Sequence, residues 1–574
     1  MTIHNQEIAD RLERAADLLE IGGGNAYRAR AYRQAAQTIS GLSQSVADLV
    51  ANGDDLTELP DIGQRMAEKI ATLVETGELP QLDELKETLP AQLSELMQLS
   101  GLGPKRVKAL YQDLGVENLD DLKQALEAHR VRELEGFGRK TEETIAEHLA
   151  RRQGQEPRTR LMEAEEIAQA LAADLRAVDG VQDLAIAGSF RRRKETVGDL
   201  DILVTAVEDS PVMARFTGHE EVREIVSQGE TRSTIVLRSG MQVDLRRMPE
   251  AAYGAALHYF TGSKAHNIAV RRMGMERGLK INEYGVFRDE ERIAGRSEQE
   301  VYASVGLPYI EPVLRENRGE IEAAQEGSLP ELVELDAIRG DLHCHTRASD
   351  GHESLRAMAE AGAERGYQYL AITDHTQNLT VAGGLDERRM NEQIDRIDRL
   401  NDTLGDRIRV LKSAEVDILA DGSLDLPDAI LERLDLCVCS IHDKLDLSRE
   451  KQTERILRAM DHPSFSILGH PRGRLIGKRD PYELDLEQVL AAAAERGCFL
   501  EVNAQPKRLD LSDTDCRLAK EMGVKVAIST DAHSRANLDY MRFGVDQARR
   551  GWLDAEDVVN TRSLEALRKL LERP

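Results

Sequence analysis

The chain contains no run of 18 or more uncharged apolar residues, the minimum for a helical membrane span, so none is expected. Its first twenty residues, MTIHNQEIADRLERAADLLE, form an acidic amphipathic pattern without the apolar core of a signal peptide, which points to the cytoplasm. Cysteine is scarce. The five residues, at 344, 437, 439, 498 and 516, are odd in number, lie in the C-terminal half and form no CxxC pair, which argues against a disulfide framework. Basic residues are outnumbered, 76 against 103 acidic, for a net charge of −27. Taken alone, that balance argues against nucleic-acid binding, which needs Lys and Arg to neutralise phosphate, and suits solubility instead. Net charge averages over domains, however, and residues 188–194 are locally basic. What remains is ordinary for a soluble globular chain: 574 residues, 41% hydrophobic and 31% charged, long enough for about three to five domains.

Three segments resemble one another: LPDIGQRMAEKI (59–70), LSGLGPKRVKAL (99–110) and LEGFGRKTEETI (134–145). Each reads as an apolar residue, a Gly-containing turn and a helix that opens with Gln, Lys or Arg. Such a turn offers free backbone N–H groups to an anion and can hold a phosphate without reading base sequence. Three copies define a helix-hairpin-helix pattern rather than unrelated helical hairpins. They place Gly63, Arg65, Gly101, Gly103, Lys105, Gly136 and Gly138 as DNA-contacting candidates.

From residue 181 the texture changes. VQDLAIAG reads as a strand, SFRRRKET as a short helix and loop, DLDILVTAV as a second strand, and TRSTIVLRSGMQVDLRRM as a hairpin around Ser239-Gly240. Asp199 and Asp201, at i and i+2 on one strand, face the same side. Hard oxygen ligands of this kind suit Mg²⁺ or Mn²⁺, and Asp244 offers a third from a strand that could lie alongside. Three carboxylates holding two metals can manage both oxygens of an in-line displacement at phosphorus. Gly188 and Ser189 open the helix expected to take a triphosphate, with Arg192 as its charge partner and the 191–194 tip basic throughout.

GSFRRRKETVGDLDIL, YFTGSKAHN (259–267) and LKINEYGVF (279–287) resemble family X DNA polymerases, the family of polymerase beta, over roughly residues 1–315. The resemblance implies that Asp199, Asp201 and Asp244 are catalytic metal ligands, Asp244 also being a candidate base for the primer 3′-hydroxyl. It implies that Tyr259 and Phe260 crowd the sugar 2′ position, that Gly262-Ser263 makes an unusual turn and that Asn267 contacts the nucleotide. Arg246 and Arg271 would support Asp244 and the template. Lys69 falls on the family's Schiff-base position for 5′-deoxyribose phosphate removal. Its supporting lysines are arginines here, Arg28 and Arg65, which keep a phosphate contact but cannot serve as a backup amine, so a plain phosphate contact by Lys69 is the alternative.

In the C-terminal half, short apolar strands alternate with helices, the mark of βα units around a parallel sheet or barrel. His343, His345, Asp350, His375, Glu415, His442, His470, Asp531 and His533 follow or end these strands, on the side where barrel sites sit. His plus carboxylate without thiolate suits Zn²⁺, Mn²⁺ or Fe²⁺. Cys344, between two candidate ligands on a strand, should point away, and Asp374 should orient a ligand from behind. The pattern resembles the polymerase and histidinol phosphatase (PHP) domain over 339–574. That resemblance implies a distorted (β/α)7-type barrel, three divalent metals on these nine ligands, and attack of metal-activated water on a phosphoester.

The expected fold is therefore multidomain: an all-α helix-hairpin-helix N-terminal region, an α+β nucleotidyltransferase palm with a thumb, and the barrel. The expected boundaries are 1–88 (lyase-like), 89–155 (fingers-like), 156–250 (palm), 251–318 (thumb), an acidic Gly- and Pro-containing linker at 319–338, and 339–574. The two resemblances together imply a monomeric DNA repair polymerase that fills short gaps. It would act on gapped or primed DNA with deoxynucleoside triphosphates and Mg or Mn, as in base excision repair. The barrel would add 3′→5′ exonuclease and abasic-site cleavage. The alternatives are a nucleotidyltransferase fused to a small-molecule phosphatase, and a barrel that only scaffolds.

Overall fold

The computed structural model describes residues 3, 5–40, 42, 45–86, 88–97, 99, 102–153 and 158–572. Among the described residues no helix is long and apolar enough to cross a membrane. The chain divides into two units, Met1–Pro157 with Gly477–Asp480, and Arg158–Ile476 with Pro481–Pro574.

The first unit is helical. Helices α1 (Gln64–Thr76), α2 (Pro104–Leu114) and α3 (Arg139–Gln153) follow the three glycine turns. In α1, Met66, Ala67, Ile70, Leu73 and Val74 are buried, an i, i+4, i+7 stripe that faces the core. Gly77 and Gly115 end α1 and α2 in the left-handed conformation, at φ 73° and 69°.

The second unit begins with α4 (Leu161–Arg176), β1 (Val181–Ile186), the single turn α5 (Gly188–Arg191), β2 (Asp199–Ala206), β3 (Val222–Ser227), β4 (Arg232–Leu237) and β5 (Gln242–Arg247). The strands form one sheet in the order β1-β2-β5-β4-β3, with β2 and β5 parallel at its centre. Leu200, Ile202 and Val204 point to α4, while Leu203 points to the opposite face, against Ala252 and Ala256. The β4–β5 hairpin turns at Ser239-Gly240, with Gly240 at φ 90°. Next come α6 (Tyr253–Thr261), α7 (Lys264–Glu276), the antiparallel strands β6 (Leu279–Asn282), β7 (Gly285–Arg288) and β8 (Glu291–Ala294), and α8 (Glu298–Ser304).

Residues 319–338, expected as a linker, are packed. Helix α9 (Glu320–Glu326) lies within them, and Ile321, Ala323, Ala324 and Leu332 join a core with Val270 and Tyr302. The acidity that suggested a solvated tether is used internally. Glu320 is fully buried, 2.6 Å from His266 Nδ1, and accepts the backbone N–H groups of Asn317 and Arg318.

The barrel follows with β9 (Gly340–Cys344), β10 (Tyr369–Ile372), β11 (Arg409–Asp417), β12 (Leu436–Ser440), β13 (Ile467–Leu468), β14 (Phe499–Asn503) and β15 (Val526–Ser529), all parallel and adjacent in chain order. The ring closes where a bridge joins Cys344 to Ala532 and the His345 N–H donates to the Ala532 carbonyl at 2.8 Å. Near the C-terminus lie α10 (Asp513–Glu521) and α11 (Met541–Arg550). Tyr540 and Phe543, with Ala504 and Leu509 from the loop after β14, sit in the same apolar cluster as α4, β2 and β5.

Candidate active sites

Residues 199 and 201 share a face because the strand period is two, and parallel register brings the third carboxylate in: Asp201 pairs directly with Asp244. Asp244 is 8% exposed and well held. It accepts hydrogen bonds from Thr234 Oγ1 at 2.5 Å, Arg232 at 3.0 Å and Arg246 at 3.2 Å. Burial, then the charges of Asp199 and Asp244, push the Asp201 carboxyl up to about 7. A cation between these oxygens would relieve that repulsion, so the carboxylates fit a divalent metal. Gly188 sits at φ +65°, and a Cβ there would lie 2.9 Å from Asp201 Oδ2, so glycine lets the turn approach the carboxylate.

The basic tip is not a free cationic patch. Arg191 forms a two-pronged pair with Glu298, at 2.9 and 2.7 Å, and Arg193 pairs with Asp546 at 2.7 Å and Glu165 at 2.9 Å. Arg192 donates to Glu316 at 2.9 Å and to the Thr261 carbonyl at 2.8 Å. The reading of 191–194 as one free anion or DNA patch is corrected for Arg191 and Arg193, whose charges act as clamps on Glu298 and on Asp546 and Glu165. Arg192 and Lys194 still line a cavity of about 960 Å³ with Gly188, Ser189, Asp199 and Asp201.

Phe260, Gly262 and Ser263 line the same cavity. Phe260 stacks edge-on with Tyr259 and lies under the Arg246 guanidinium, 4.4 Å from its ring centroid. Gly262 and Ser263 are ordinary extended backbone, at φ −63°, ψ 149° and φ −59°, ψ 158°, so the turn between α6 and α7 is a plain break. Ser263 caps α7. Asn267 donates to the Tyr259 and Gly262 carbonyls and leaves a buried Oδ1 without a hydrogen-bond partner. Arg271 is exposed on α7.

In the helical unit, Gly63 and Gly103 are N-caps of α1 and α2 without a side-chain cap, so the first N–H groups stay open. Gly63, Gly103, Gly136 and Gly138 have nothing within 4 Å of a would-be Cβ. Arg65 and Lys105 are exposed, and Gly101 lies outside the described residues. Lys69 donates to the Tyr32 hydroxyl at 2.5 Å, over that ring.

The nine barrel candidates converge. Donor atoms of seven of them fall into three overlapping groups: His345, Asp350, His375 and His533; His343, His345 and Glu415; and His375, Glu415 and His442. His470 Nε2 lies 2.9 Å from Glu415, and Asp531 lies 3.2 Å from His345 Nε2. Ring nitrogens of His343, His345 and His375 are buried without a hydrogen-bond partner, a state that costs about 1–3 kcal/mol per group and that metal ligation would remove. Burial, then the charges of His533 and His375, lowers His345 to about 4. His470 and Asp531 adopt left-handed backbone, at φ 27° and 52°, strain of the kind stored at working sites. These donors fit divalent metals. Cys344 points away, toward Thr530, and Asp374 holds Thr346 and Ser349, which carry the turn to Asp350.

The sequence reading missed Glu501 on β14. It lies 2.7 Å from His343 Nδ1 and accepts the His470 N–H at 2.7 Å, orienting two candidate ligands. Its signal was the strand FLEVN itself, which places 501 and 503 on one side of the barrel strand that supplies none of the nine candidates. Asp417, 2.6 Å from His442 Nδ1, plays the same part on β11.

A nucleotidyltransferase palm and a seven-stranded barrel with a polynuclear ligand set thus occur in one chain. The chain matches the families described as DNA polymerase beta palm (157–247), DNA polymerase beta thumb (256–316), Helix-hairpin-helix domain (3–79), SAM-like Helix-hairpin-helix tandem (93–151) and PHP domain (341–505). It is 38% identical over 575 residues, the full length of both chains, to a Bacillus subtilis (strain 168) protein named DNA polymerase/3'-5' exonuclease PolX. DNA polymerase lambda of Rattus norvegicus is 26% identical over 55% of this chain and 57% of its own. A probable phosphatase of Thermoanaerobacter sp. (strain X514) is 33% identical over 35% of this chain and 81% of its own. The chain belongs to the family X DNA polymerases that carry a C-terminal PHP domain.

Proposed function

We propose that the protein is a cytoplasmic DNA repair polymerase that extends a primer 3′-hydroxyl at short gaps and shortens 3′ ends with its barrel. The carrying observation is the paired register of Asp201 and Asp244 beside a cavity lined by cations. Mg or Mn held by Asp199, Asp201 and Asp244 would supply charge neutralisation at phosphorus. Asp244, fixed by Thr234, Arg232 and Arg246, would accept the proton of the primer hydroxyl. Arg192 and the Gly188-Ser189 turn would hold the triphosphate, Phe260 and Tyr259 would crowd the sugar, and Asn267 would contact the nucleotide. The open glycine turns and Arg271 would contact the DNA backbone. At the barrel, Zn, Mn or Fe ions would supply a water of lowered pKa. Glu501 and Asp417 keep their histidine rings oriented there.

The test is primer length on end-labelled, one-nucleotide-gapped DNA with Mn²⁺, with and without nucleotides. Asp201→Ala should stop extension and His345→Ala should stop shortening. A parent protein that does neither sinks the proposal. The match to a probable phosphatase favours a second reading, hydrolysis of small phosphomonoesters, which turnover of histidinol phosphate would support. For Lys69, borohydride trapping on a nicked abasic duplex decides between lyase and phosphate contact; no adduct, or one that survives Lys69→Ala, excludes the lyase.

A further inference from the structure

Helix α11 belongs to the barrel, yet its last turns hold the nucleotide turn of the palm. The Arg550 side chain is 2% exposed. Its Nη1 donates to the Arg192 carbonyl at 2.6 Å, and its Nη2 donates to Glu316 at 3.2 Å and Asp513 at 2.6 Å. One helical turn earlier, Asp546 accepts from Arg193. Glu316 Oε1 also accepts from Arg192 Nε at 2.9 Å. One carboxylate oxygen is therefore shared by a guanidinium from the palm and another from the barrel. Arg550 and Thr514 reach the same cavity as Ser189, Arg192 and Asp201.

This sharing has a chemical consequence. A triphosphate and Glu316 compete for Arg192. Were Arg192 the sole partner of Glu316, its departure would leave a half-buried carboxylate bare, and the triphosphate would bear that cost. Arg550 keeps Glu316 paired whichever anion Arg192 meets. It also ties down the backbone at Arg192, so less freedom is lost when the side chain grips a ligand. Burial alone would push the Glu316 carboxyl up, but Arg192 and Arg550 together hold it below its ordinary value.

We propose that Arg550, from the PHP domain, is a positioning residue for the polymerase reaction, holding Glu316 and the backbone of Arg192 so that Arg192 can take the triphosphate of the incoming nucleotide. This rests on the reading of the cavity as the nucleotide site.

The experiment is single-nucleotide gap filling by the full-length protein, measuring kcat and KM for the nucleotide. Primer shortening and thermal unfolding are followed in parallel, for Arg550→Met, Arg550→Lys, Arg192→Met and the double Arg192→Met/Arg550→Met. Arg550→Met should raise the nucleotide KM about tenfold, with kcat changed less and shortening unchanged, the size expected of one lost coupling. Arg550→Lys should recover part of the loss, since it keeps the charge but not the fork. The double variant should be little worse than Arg192→Met, because both act on one grip. If Arg192→Met raises KM and Arg550→Met does not, the inference falls and the cavity reading stands; if neither does, the cavity reading falls. Parallel loss of extension, shortening and unfolding temperature, unrelieved by Arg550→Lys, would make Arg550 a fold contact and overturn the proposal. Should Arg550→Met not fold, Asp513→Asn frees Arg550 without removing it. A KM rise of about two- to threefold is then expected, and an unchanged KM overturns the proposal.

Discussion

Asp201 and Asp244 stand opposite each other on neighbouring parallel strands, with Asp199 on the same face two residues before Asp201. Three carboxylates so placed repel one another, and that repulsion can be read in solution.

Burial and the charges of Asp199 and Asp244 push the Asp201 carboxyl up from 3.8 to about 7 in the metal-free protein. The folded chain therefore holds a proton that the unfolded chain has released between about pH 4 and 7. Stability of the metal-free palm should fall as pH rises through that window, by up to roughly 4 kcal/mol. Above it the penalty is fully present. Mg²⁺ binding at pH 6 should release nearly one proton from Asp201, and at pH 9 none. Calorimetry in two buffers of different ionisation enthalpy measures this; a release at pH 6 that persists in Asp201→Asn contradicts the assignment.

Glu298 lies between Arg191 and the fully buried Arg315. Burial opposes its charge, but hydrogen bonds from both arginines outweigh it and hold the carboxyl at about 2. Glu298→Gln leaves Arg315 without its anion and should destabilise the palm–thumb unit by about 3–5 kcal/mol. The unfolding midpoint at neutral pH is the measure, and a change under about 1 kcal/mol would place the pair among weak surface bridges.

Gly63 and Gly103 have negative φ, −79° and −104°, and open space at Cβ, so alanine fits the fold at both. A methyl group there would stand where a phosphate approaches the N–H groups. The double Gly→Ala variant should keep its unfolding temperature within a few degrees and weaken binding to gapped duplex by about tenfold. Affinity should drop steeply with added salt in both proteins. Unchanged affinity, or binding insensitive to salt, would remove these turns from the DNA track.

His345 contributes to two of the three ligand groups. His345→Ala should lose more than one bound metal per chain by elemental analysis while extension persists. Glu501→Gln keeps every candidate ligand but loosens His343 and should reduce metal affinity or shortening by about 10–100-fold. Full metal content and parent-like shortening in Glu501→Gln would make that contact incidental.

The placement of the palm carboxylates and of the candidate barrel ligands was legible because local periodicity determines where they go. A DxD on a strand must face one way, and a histidine just past a barrel strand must lie at one end. The roles of Arg191 and Arg193 were not, since their partners Glu298 and Asp546 lie 107 and 353 residues away in sequence. A run of like charges reads as an anion site until its counter-charges are folded against it. Residues 319–338 misled for the same reason, because an acidic composition does not reveal that Glu320 is buried beside His266. Glu501 carried no histidine motif to draw notice and acts through the rings it orients.

Tyr540, Phe543, Ala504 and Leu509 fill part of the hydrophobic core beneath β2 and β5. A gene shortened after codon 338 would therefore not release a lean, nuclease-free polymerase. It would deliver a sheet with an apolar wound where two aromatic rings had been, prone to stick to other chains. Selection can silence the barrel's chemistry by changing a histidine, but it cannot discard the barrel without first refilling that gap.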